Sequence, residues 1–317
     1  MIAVRDYLET LDGEYVSDYV ASGGAAVKFV VPADEEAAAT FLDGLSGAAG
    51  RAGYLMASVD AAETRVHLLD QVFTEVARQV DWDELAGVAA RSAAAAAGYP
   101  VPAGATLAVE QLAAHHRVEA GELKRDVDRQ LQARVHQDYA MVQELRTAML
   151  RLCQAQLHTG QVAEAEHAAI LDWLRGDLRQ MSALRSSLIF RRIGRHNARQ
   201  LLFSLAHWLS VNDRAGLVLV LDLRRLGYAR RPSPEERQGL YYTRAALLDA
   251  YEGLRQLVDN TDEMANLLVV AVASPAFLSD PGRGLDAYQA LKLRIFDEVR
   301  DVNRDNPLSS LVRVGAT

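Results

Sequence analysis

The order in which short apolar runs follow one another constrains the fold of this chain most. Residues 27–31 and 53–60 form two such runs, each followed by a helical pattern, and further runs come much later, at 216–223 and 266–273. Largely apolar runs of this length are typical of strands buried on both faces of a sheet. Because parallel strands need helical crossovers, this alternation predicts an α/β fold with a parallel sheet flanked by helices.

The strand signal disappears between the two groups of runs. Residues 82–210 contain only helical patterning, which is broken at Gly98, Pro100 and Gly160. Segregation of strands and helices along a chain indicates separate packing units. The sequence therefore predicts a discontinuous α/β core, residues 1–81 and 211–317, interrupted by an all-helical insertion domain at 82–210.

Charge and cysteine content indicate a protein of a reducing compartment. The formal net charge of −8 gives no overall attraction to nucleic acid or to an anionic membrane. The single cysteine, Cys153, cannot form an internal disulfide. The chain shows neither a charged-then-apolar leader nor an apolar run of about 18 residues, the length of a membrane span. We therefore expect a cytoplasmic protein without a membrane partner.

The connection after the first apolar run falls where a nucleotide-binding protein has its phosphate loop. That loop reads G-x-x-x-x-G-K-[ST] between a strand and a helix, whereas residues 33–40 read ADEEAAAT, in which only Thr40 agrees. The two glycines and the lysine are replaced by Ala33, Ala38 and Ala39. Asp34 and the two glutamates after it favour a helix N-terminus, where carboxylates are stabilised by the helix dipole and would repel a triphosphate. These residues alone leave open a degenerate phosphate loop or a capped helix that never bound phosphate.

An aspartate closes the strongest apolar run, LVLVLD. This run delivers Asp222 to the carboxyl end of a strand, as a Walker B strand delivers the carboxylate that holds Mg²⁺. The next residue, where such ATPases usually have a glutamate that orients the attacking water, is Leu223. The fourth run ends at Ser274, the place of a polar γ-phosphate sensor. The sequence therefore keeps a metal-side carboxylate and lacks the water-activating one.

Two arginine-rich segments are candidate contact surfaces for an acidic partner or for nucleic acid. Residues 185–199 contain five arginines and no acid, and residues 224–231 contain four more arginines. The candidate contact residues are Arg185, Arg191, Arg192, Arg195, Arg199, Arg224, Arg225, Arg230 and Arg231. The alternative is a solvated face, or ion pairs with the 42 acidic residues of the chain. Because aromatic residues are not interleaved through the first segment, we do not expect it to stack on single-stranded bases.

Metal-site and hydrolase motifs do not occur in the sequence. His115 and His116 are adjacent, so they point to different sides of a helix and make a weak metal pair. The chain has no H-x-x-x-H or C-x-x-C spacing and no G-x-S-x-G elbow. We therefore expect no bound metal at such sites and no hydrolase chemistry from them.

With these elements in order, the chain resembles the P-loop ATP-binding proteins of BREX phage-exclusion systems, a BrxD-like group of AAA-like ATPases. The similar stretches are GGAAVKFVV, GYLMASVDAAETRVHLLDQVFTEVARQVDW, ARQLLFSLAHWLSVNDRAGLVLVLDL and GLDAYQALKLRIFDEVRD. The resemblance implies a P-loop NTPase-like, AAA-like fold with a helical insertion. Carried over by position, it also implies that Thr40 faces Mg²⁺, that Asp222 is the Walker B carboxylate and that Arg294 is a sensor arginine.

The resemblance and its departures together imply a pseudo-ATPase, an ATPase-like subunit that acts as a scaffold or regulator of an anti-phage defence system. Its partners would be other protein subunits, and no cofactor is expected. One alternative is a Mg²⁺-ATPase that uses ATP with Arg191, Arg192 or Arg294 supplied by a neighbouring subunit. Another is a DNA-binding component of the same system. The sequence leaves open whether the chain is an enzyme, which partner it has and its oligomeric state.

Overall fold

A computed structural model of the chain describes residues 1–227, 239–296 and 305–315. Its strands are β1 (Ile2–Ala3), β2 (Ala25–Pro32), β3 (Leu55–Asp60), β4 (Leu217–Asp222), β5 (Leu267–Val272) and β6 (Leu311–Gly315). Its α-helices are α1 (Val4–Thr10), α2 (Glu35–Arg51), α3 (Leu69–Arg78), α4 (Trp82–Ala96), α5 (Val109–His116), α6 (Ala120–Leu131), α7 (Gln143–Ala155), α8 (Glu164–Leu174), α9 (Ala198–Ser210), α10 (Arg244–Asp259), α11 (Ala276–Ser279) and α12 (Gln289–Ile295). Among these described helices, none is both long enough and apolar enough to cross a membrane.

The six strands form one parallel sheet in the order β1-β6-β2-β5-β4-β3. The central strands are apolar because both faces of the sheet are covered, and every residue of β5 is buried. β4 pairs with β5 in a register that sets Leu217 opposite Leu267 and Asp222 opposite Val272. β5 lies between β2 and β4, so the three strands expected to deliver the phosphate loop, the sensor and the Mg²⁺ carboxylate are neighbours. This α/β architecture is consistent with a P-loop NTPase-like fold.

The sequence predicts four strands, and the described residues form six. β1 has two residues and β6 has five, and neither contains the long apolar run that marks a buried strand. β6 lies between β1 and β2, with Ile2 opposite Val314 and Phe29 opposite Leu311. The exposed Arg313 interrupts the apolar pattern of β6. The position of this strand therefore depends on pairing with residues close to the other end of the chain.

A buried lysine fastens the carboxyl-terminal residues to the sheet. Lys28, on β2, is 3% exposed, and its ammonium donates to Tyr15 Oη at 2.7 Å. It also donates to the carbonyl oxygens of Leu308 at 2.7 Å and Ser309 at 3.2 Å. Burial lowers the pKa of Lys28 to about 8. The three hydrogen bonds use all three donors of the ammonium group, which explains how a charge is tolerated on a core strand.

The chain divides into two compact units. One, which we call the sheet unit, comprises Met1–Val76 and Arg214–Thr317, and the other, the helical unit, comprises Ala77–Asp213. The helical unit, all of whose residues are described, contains helices and no strand. Its core includes Cys153, whose burial raises the thiol pKa to about 12. That residues 82–210 form an inserted domain remains a prediction.

Candidate functional site

A cleft of about 660 Å³ opens in the sheet unit at the carboxyl ends of β3, β4 and β5, beside the start of α2. Open α/β sheets bind their ligands at this edge. The charged and polar residues of the lining include Glu35, Asp60, Glu63, Asp222, Arg224, Arg225 and Ser274. Among the described residues, four carboxylates and two guanidinium groups line the cleft.

The connection from β2 to α2 is too short to form a phosphate loop. Only Ala33 and Asp34 separate the strand from the helix. The amide of Ala33 donates to the carbonyl oxygen of Val314 at 2.8 Å and so remains part of the sheet. Asp34 caps α2, because its Oδ1 accepts a hydrogen bond from the Ala37 amide at 2.8 Å. The predicted helix cap is confirmed, and two amides of this turn already have partners within the protein.

The later positions of the phosphate-loop pattern lie inside α2. The Ala38 amide donates to the Asp34 carbonyl oxygen at 3.1 Å, as in a regular helix, and its side chain is fully buried. Ala39 and Thr40 are exposed on the same helix. Thr40 is not among the described residues that line the cleft. The helix thus starts before the residues that would have to wrap a phosphate, and a role of Thr40 toward Mg²⁺ is still a prediction.

Arg224 holds the carboxylate at the end of β4. Its Nε donates to both Asp222 oxygens, at 3.0 and 3.2 Å, and its Nη2 donates to Oδ2 at 2.6 Å. The Arg224 amide also donates to Asp222 Oδ1 at 3.1 Å, and Nη1 pairs with Glu35. Hydrogen bonding with Asp222, together with the negative charges of Asp222, Glu35 and Asp60, raises the pKa of Arg224 above its usual value, although partial burial opposes this. Asp222 therefore already has a cation where a Walker B carboxylate would hold Mg²⁺.

The residue after Asp222 brings no catalytic group into the cleft. Leu223 is 4% exposed, and its amide donates to the carbonyl oxygen of Val272 at 2.7 Å, which continues the pairing of β4 with β5. An apolar side chain cannot orient a water molecule. Ser274, just after β5, is half-buried and lines the cleft. The structure thus brings Asp222 and Ser274 to one cleft, as the strand order predicts.

Arg294, on α12, pairs with an acid at the end of α10. Its Nε donates to Asp259 Oδ1 at 2.6 Å, and this hydrogen bond lowers the pKa of the Asp259 carboxyl below its usual value. Asp259 also pairs with Arg255. Arg294 is not among the described residues that line the cleft. No observation tests its assignment as a sensor.

The cleft does not fit Mg²⁺-ATP bound as in a P-loop ATPase. Such a site needs a loop of free amides, a lysine and a carboxylate open to Mg²⁺. Here the connection has two residues, no lysine occurs in the described lining, and Asp222 is paired with Arg224. Glu63 adds a further negative charge to the cleft, which is unfavourable for a triphosphate. Within the described ranges, no group of three or more His, Cys, Asp or Glu side chains is arranged to hold a metal ion.

Asp60 is a residue of the cleft that sequence reasoning missed. It ends β3 directly opposite Asp222 on β4, and its Oδ1 accepts a hydrogen bond from the Ala62 amide at 2.7 Å. The signal was present, because LMASVD ends in an aspartate just as LVLVLD does. The sequence shows that two apolar runs end in aspartate. It does not show that the two strands are neighbours, which depends on the strand order of the sheet.

The predicted contact arginines of residues 185–199 lie in the helical unit. Three of them are exposed and form no ion pair within the described part of the chain: Arg185, Arg192 and Arg195. Arg191 is exposed but pairs with Glu144 at 3.5 Å, and Arg199 is half-buried. This segment therefore offers three guanidinium groups to a ligand.

Two arginines of the second segment, Arg224 and Arg225, are among the described residues. The side chain of Arg224 is 23% exposed and lines the cleft, and its role as a contact residue stays a prediction. Arg225 also lines the cleft. Arg230 and Arg231 lie outside the described residues. Whether the second segment forms a contact surface therefore stays a prediction.

An exposed aromatic residue lies among the arginines of the first segment. Phe190 is 67% exposed and is followed directly by Arg191 and Arg192. The premise that no aromatic residue lies among these arginines is therefore wrong. A phenyl ring and free guanidinium groups are available on the same short stretch.

The parallel sheet flanked by helices, with a cleft at its carboxyl edge, defines a protein of α/β class that is consistent with a P-loop NTPase-like fold. A family model described as BREX system ATP-binding protein BrxC/D matches residues 8–315. The chain therefore belongs to this family, as the resemblance implied, and this membership implies a role in the BREX defence system. No curated protein and no solved structure matched the chain.

Proposed function

We propose that this chain is a non-hydrolysing, ATPase-like subunit that acts as a scaffold or regulator in a BREX defence system, with other proteins of that system as partners. The observation that supports this most is the pairing of Arg224 with Asp222 through four hydrogen bonds. A guanidinium group is always protonated and, unlike Mg²⁺, it is covalently attached to the chain, so it is present beside Asp222 at any metal concentration. The carboxylate that would bind the metal is thus neutralised by the chain itself.

The start of α2 supports the same proposal independently. A phosphate at a helix N-terminus is bound by free amides and the positive end of the helix dipole. At α2 the Asp34 carboxylate accepts one of those amide hydrogen bonds, and Glu35 and Glu36 add two further negative charges in the first turn. These carboxylates occupy the positive end of the helix dipole, where a triphosphate would have to bind. A fold that keeps its sheet, but lacks the phosphate loop and has its metal-side carboxylate paired with Arg224, is suited to assembly rather than turnover.

Asp222→Asn separates the scaffold from the ATPase alternative. If the chain is a scaffold, cells that carry the BREX genes with this substitution should keep their protection against phage. Asparagine still accepts a hydrogen bond from Arg224, so the fold of the cleft is preserved. The purified protein should show no Mg²⁺-dependent ATP turnover with or without the change. Phage plating efficiency and phosphate release are the two measurements.

Glu36→Gln is the matched control, since it also removes one carboxylate charge and Glu36 is exposed on α2. Thermal unfolding of both variants should match that of the wild type, which checks that they are folded. Two results together would contradict the scaffold: ATP hydrolysis by the wild type that Asp222→Asn abolishes, and loss of phage protection in the folded Asp222→Asn variant. They would favour an ATPase completed by a neighbouring subunit.

A further inference from the structure

We propose that residues 185–196 of the helical unit, here called the arginine platform, bind single-stranded DNA. This inference concerns the helical unit and does not rest on the absence of ATP hydrolysis. It combines three observations: an acid-free run of arginines, two apolar side chains exposed between them, and a backbone that holds both in place.

The charge of the arginine platform is local and unbalanced. From Leu178 to Asn212 the sequence contains six arginines and no aspartate or glutamate, although the whole chain has a net charge of −8. Arg185 and Arg195 are exposed without an ion pair in the described residues. Arg192 is exposed as well and donates from Nη2 to the Arg179 carbonyl oxygen at 2.6 Å. These guanidinium groups can bind the phosphates of a nucleic acid.

Two large apolar side chains are exposed between those arginines. Leu188 and Phe190 are each 67% exposed, whereas Ile189 between them is 1% exposed. Leu188 has a φ of 58°, in the left-handed region that a leucine rarely adopts. The backbone therefore turns so that Ile189 enters the core while its two neighbours face solvent. Strain of this kind persists only where the surrounding structure imposes it.

The surrounding hydrogen bonds impose that conformation. Ser187 is buried, and its Oγ donates to Glu166 Oε1 at 2.7 Å. Trp173 Nε1 donates to the Arg191 carbonyl oxygen at 2.9 Å, which fixes the backbone just after Phe190. A platform held in this way loses little conformational freedom when it binds a ligand.

Single-stranded DNA is the ligand that uses both kinds of side chain. An acidic peptide would pair with the guanidinium groups but would leave the phenyl ring of Phe190 in water. A duplex offers phosphates, yet its base faces are already stacked. An unpaired strand presents phosphates together with bases that stack on an aromatic ring. The exposed Leu188 offers no hydrogen-bond partner to a ribose 2′-hydroxyl, which favours a DNA strand over an RNA strand.

The test is the fluorescence anisotropy of a labelled 20-nucleotide oligo-dT with the whole chain, titrated at about 50 and about 200 mM salt. With three phosphate contacts, the affinity should fall roughly 20-fold over that range. Replacing both Arg185 and Arg195 by serine should weaken binding at low salt and reduce the salt effect to roughly threefold. Phe190→Ala should weaken binding about tenfold at both salt concentrations.

The matched controls lie elsewhere on the helical unit. Replacing Arg91 and Arg125, both exposed, by serine removes the same charge, and Tyr139→Ala removes another exposed ring. Neither control should change the affinity for the oligonucleotide by more than about twofold, which is small beside the roughly tenfold loss expected for Phe190→Ala. The substituted side chains are exposed, so all variants should melt like the wild type.

Several results would overturn the proposal. These are no binding at low salt, equal binding of duplex DNA or of single-stranded RNA, and equal losses in the platform and control variants. Tighter binding of poly-glutamate than of the oligonucleotide, unaffected by Phe190→Ala, would assign the platform to an acidic protein partner instead.

Discussion

Replacing Gly216 with alanine is expected to destabilise the sheet unit by about 3–5 kcal/mol, because strain and a backbone collision act together. Gly216 lies just before β4 and has a φ of 143°. An alanine Cβ there would collide with the carbonyl oxygen of Asn266 and would lie 2.8 Å from its Cβ. That carbonyl accepts the Leu217 amide at 2.9 Å, and Asn266 Nδ2 donates to the Val20 carbonyl oxygen at 3.1 Å. The obstacle is therefore fixed, and relief requires breaking the pairing at the start of β4 and β5.

Gly50→Ala is the matched control for this prediction. Gly50 is exposed within α2, and no atom lies within 4 Å of an added Cβ. Alanine there should stabilise the protein by about 1 kcal/mol, since glycine is unfavourable in a helix. The free energy of unfolding in urea measures both changes. A value for Gly216→Ala within about 0.5 kcal/mol of the wild type, the range of ordinary surface changes, would mean that the strands do not approach as described.

Replacing Arg224 with alanine is expected to convert the cleft from a neutralised site into a cation-binding one. Without the guanidinium group, Asp222 loses the three hydrogen bonds that the Arg224 side chain donates. The free energy of unfolding should fall by about 2 kcal/mol in chelator, below the full value for a buried pair because the cleft is open to solvent. With Arg224 present, the carboxylates of Asp222, Asp60 and Glu35 are not arranged to hold a metal ion. Once released from Arg224, these side chains can turn toward one another, and the three carboxylates should then bind Ca²⁺ weakly, with a Kd of about 1 mM.

Calcium-dependent unfolding measures this gain. At about 10 mM Ca²⁺, the variant should recover about 1.4 kcal/mol of stability, and the wild type should not respond. Arg224→Lys is the control that keeps the positive charge but loses the forked geometry. It should lose less stability and gain no calcium response. A wild type that calcium stabilises as strongly as Arg224→Ala would show that Arg224 does not neutralise the cleft.

The sequence predicts the centre of the fold better than its edges. β4 and β5 are buried on both faces, so their apolar runs identify them without knowledge of their neighbours. The Asp34 cap is also a local feature, since its hydrogen bond spans three residues. β6 is different, because Arg313 breaks its pattern and its burial depends on pairing with β1 and β2.

The site shows the same division between local and long-range information. That Asp222 and Ser274 meet in a cleft follows from their places at the ends of parallel strands. The role of Arg224 does not follow, because RRLGYARR reads as a charged surface run. Its pairing with Glu35 joins residues 189 positions apart and depends on the strand order. Sequence patterns therefore locate the cleft, whereas the ion pair that fills it appears only in three dimensions.

Calorimetric titration of the purified chain with ATP and with a slowly hydrolysed analogue, in Mg²⁺, tests the central claim most directly. We predict that the Kd for either nucleotide is weaker than about 1 mM and that neither stabilises the protein thermally. The reasons are the two-residue connection before α2 and the pairing of the Asp222 carboxylate with Arg224. That result would leave the chain as an ATPase-like subunit that works through its partners. A micromolar Kd, lost in a folded Asp222→Asn variant, would contradict the account and establish a nucleotide site in this cleft.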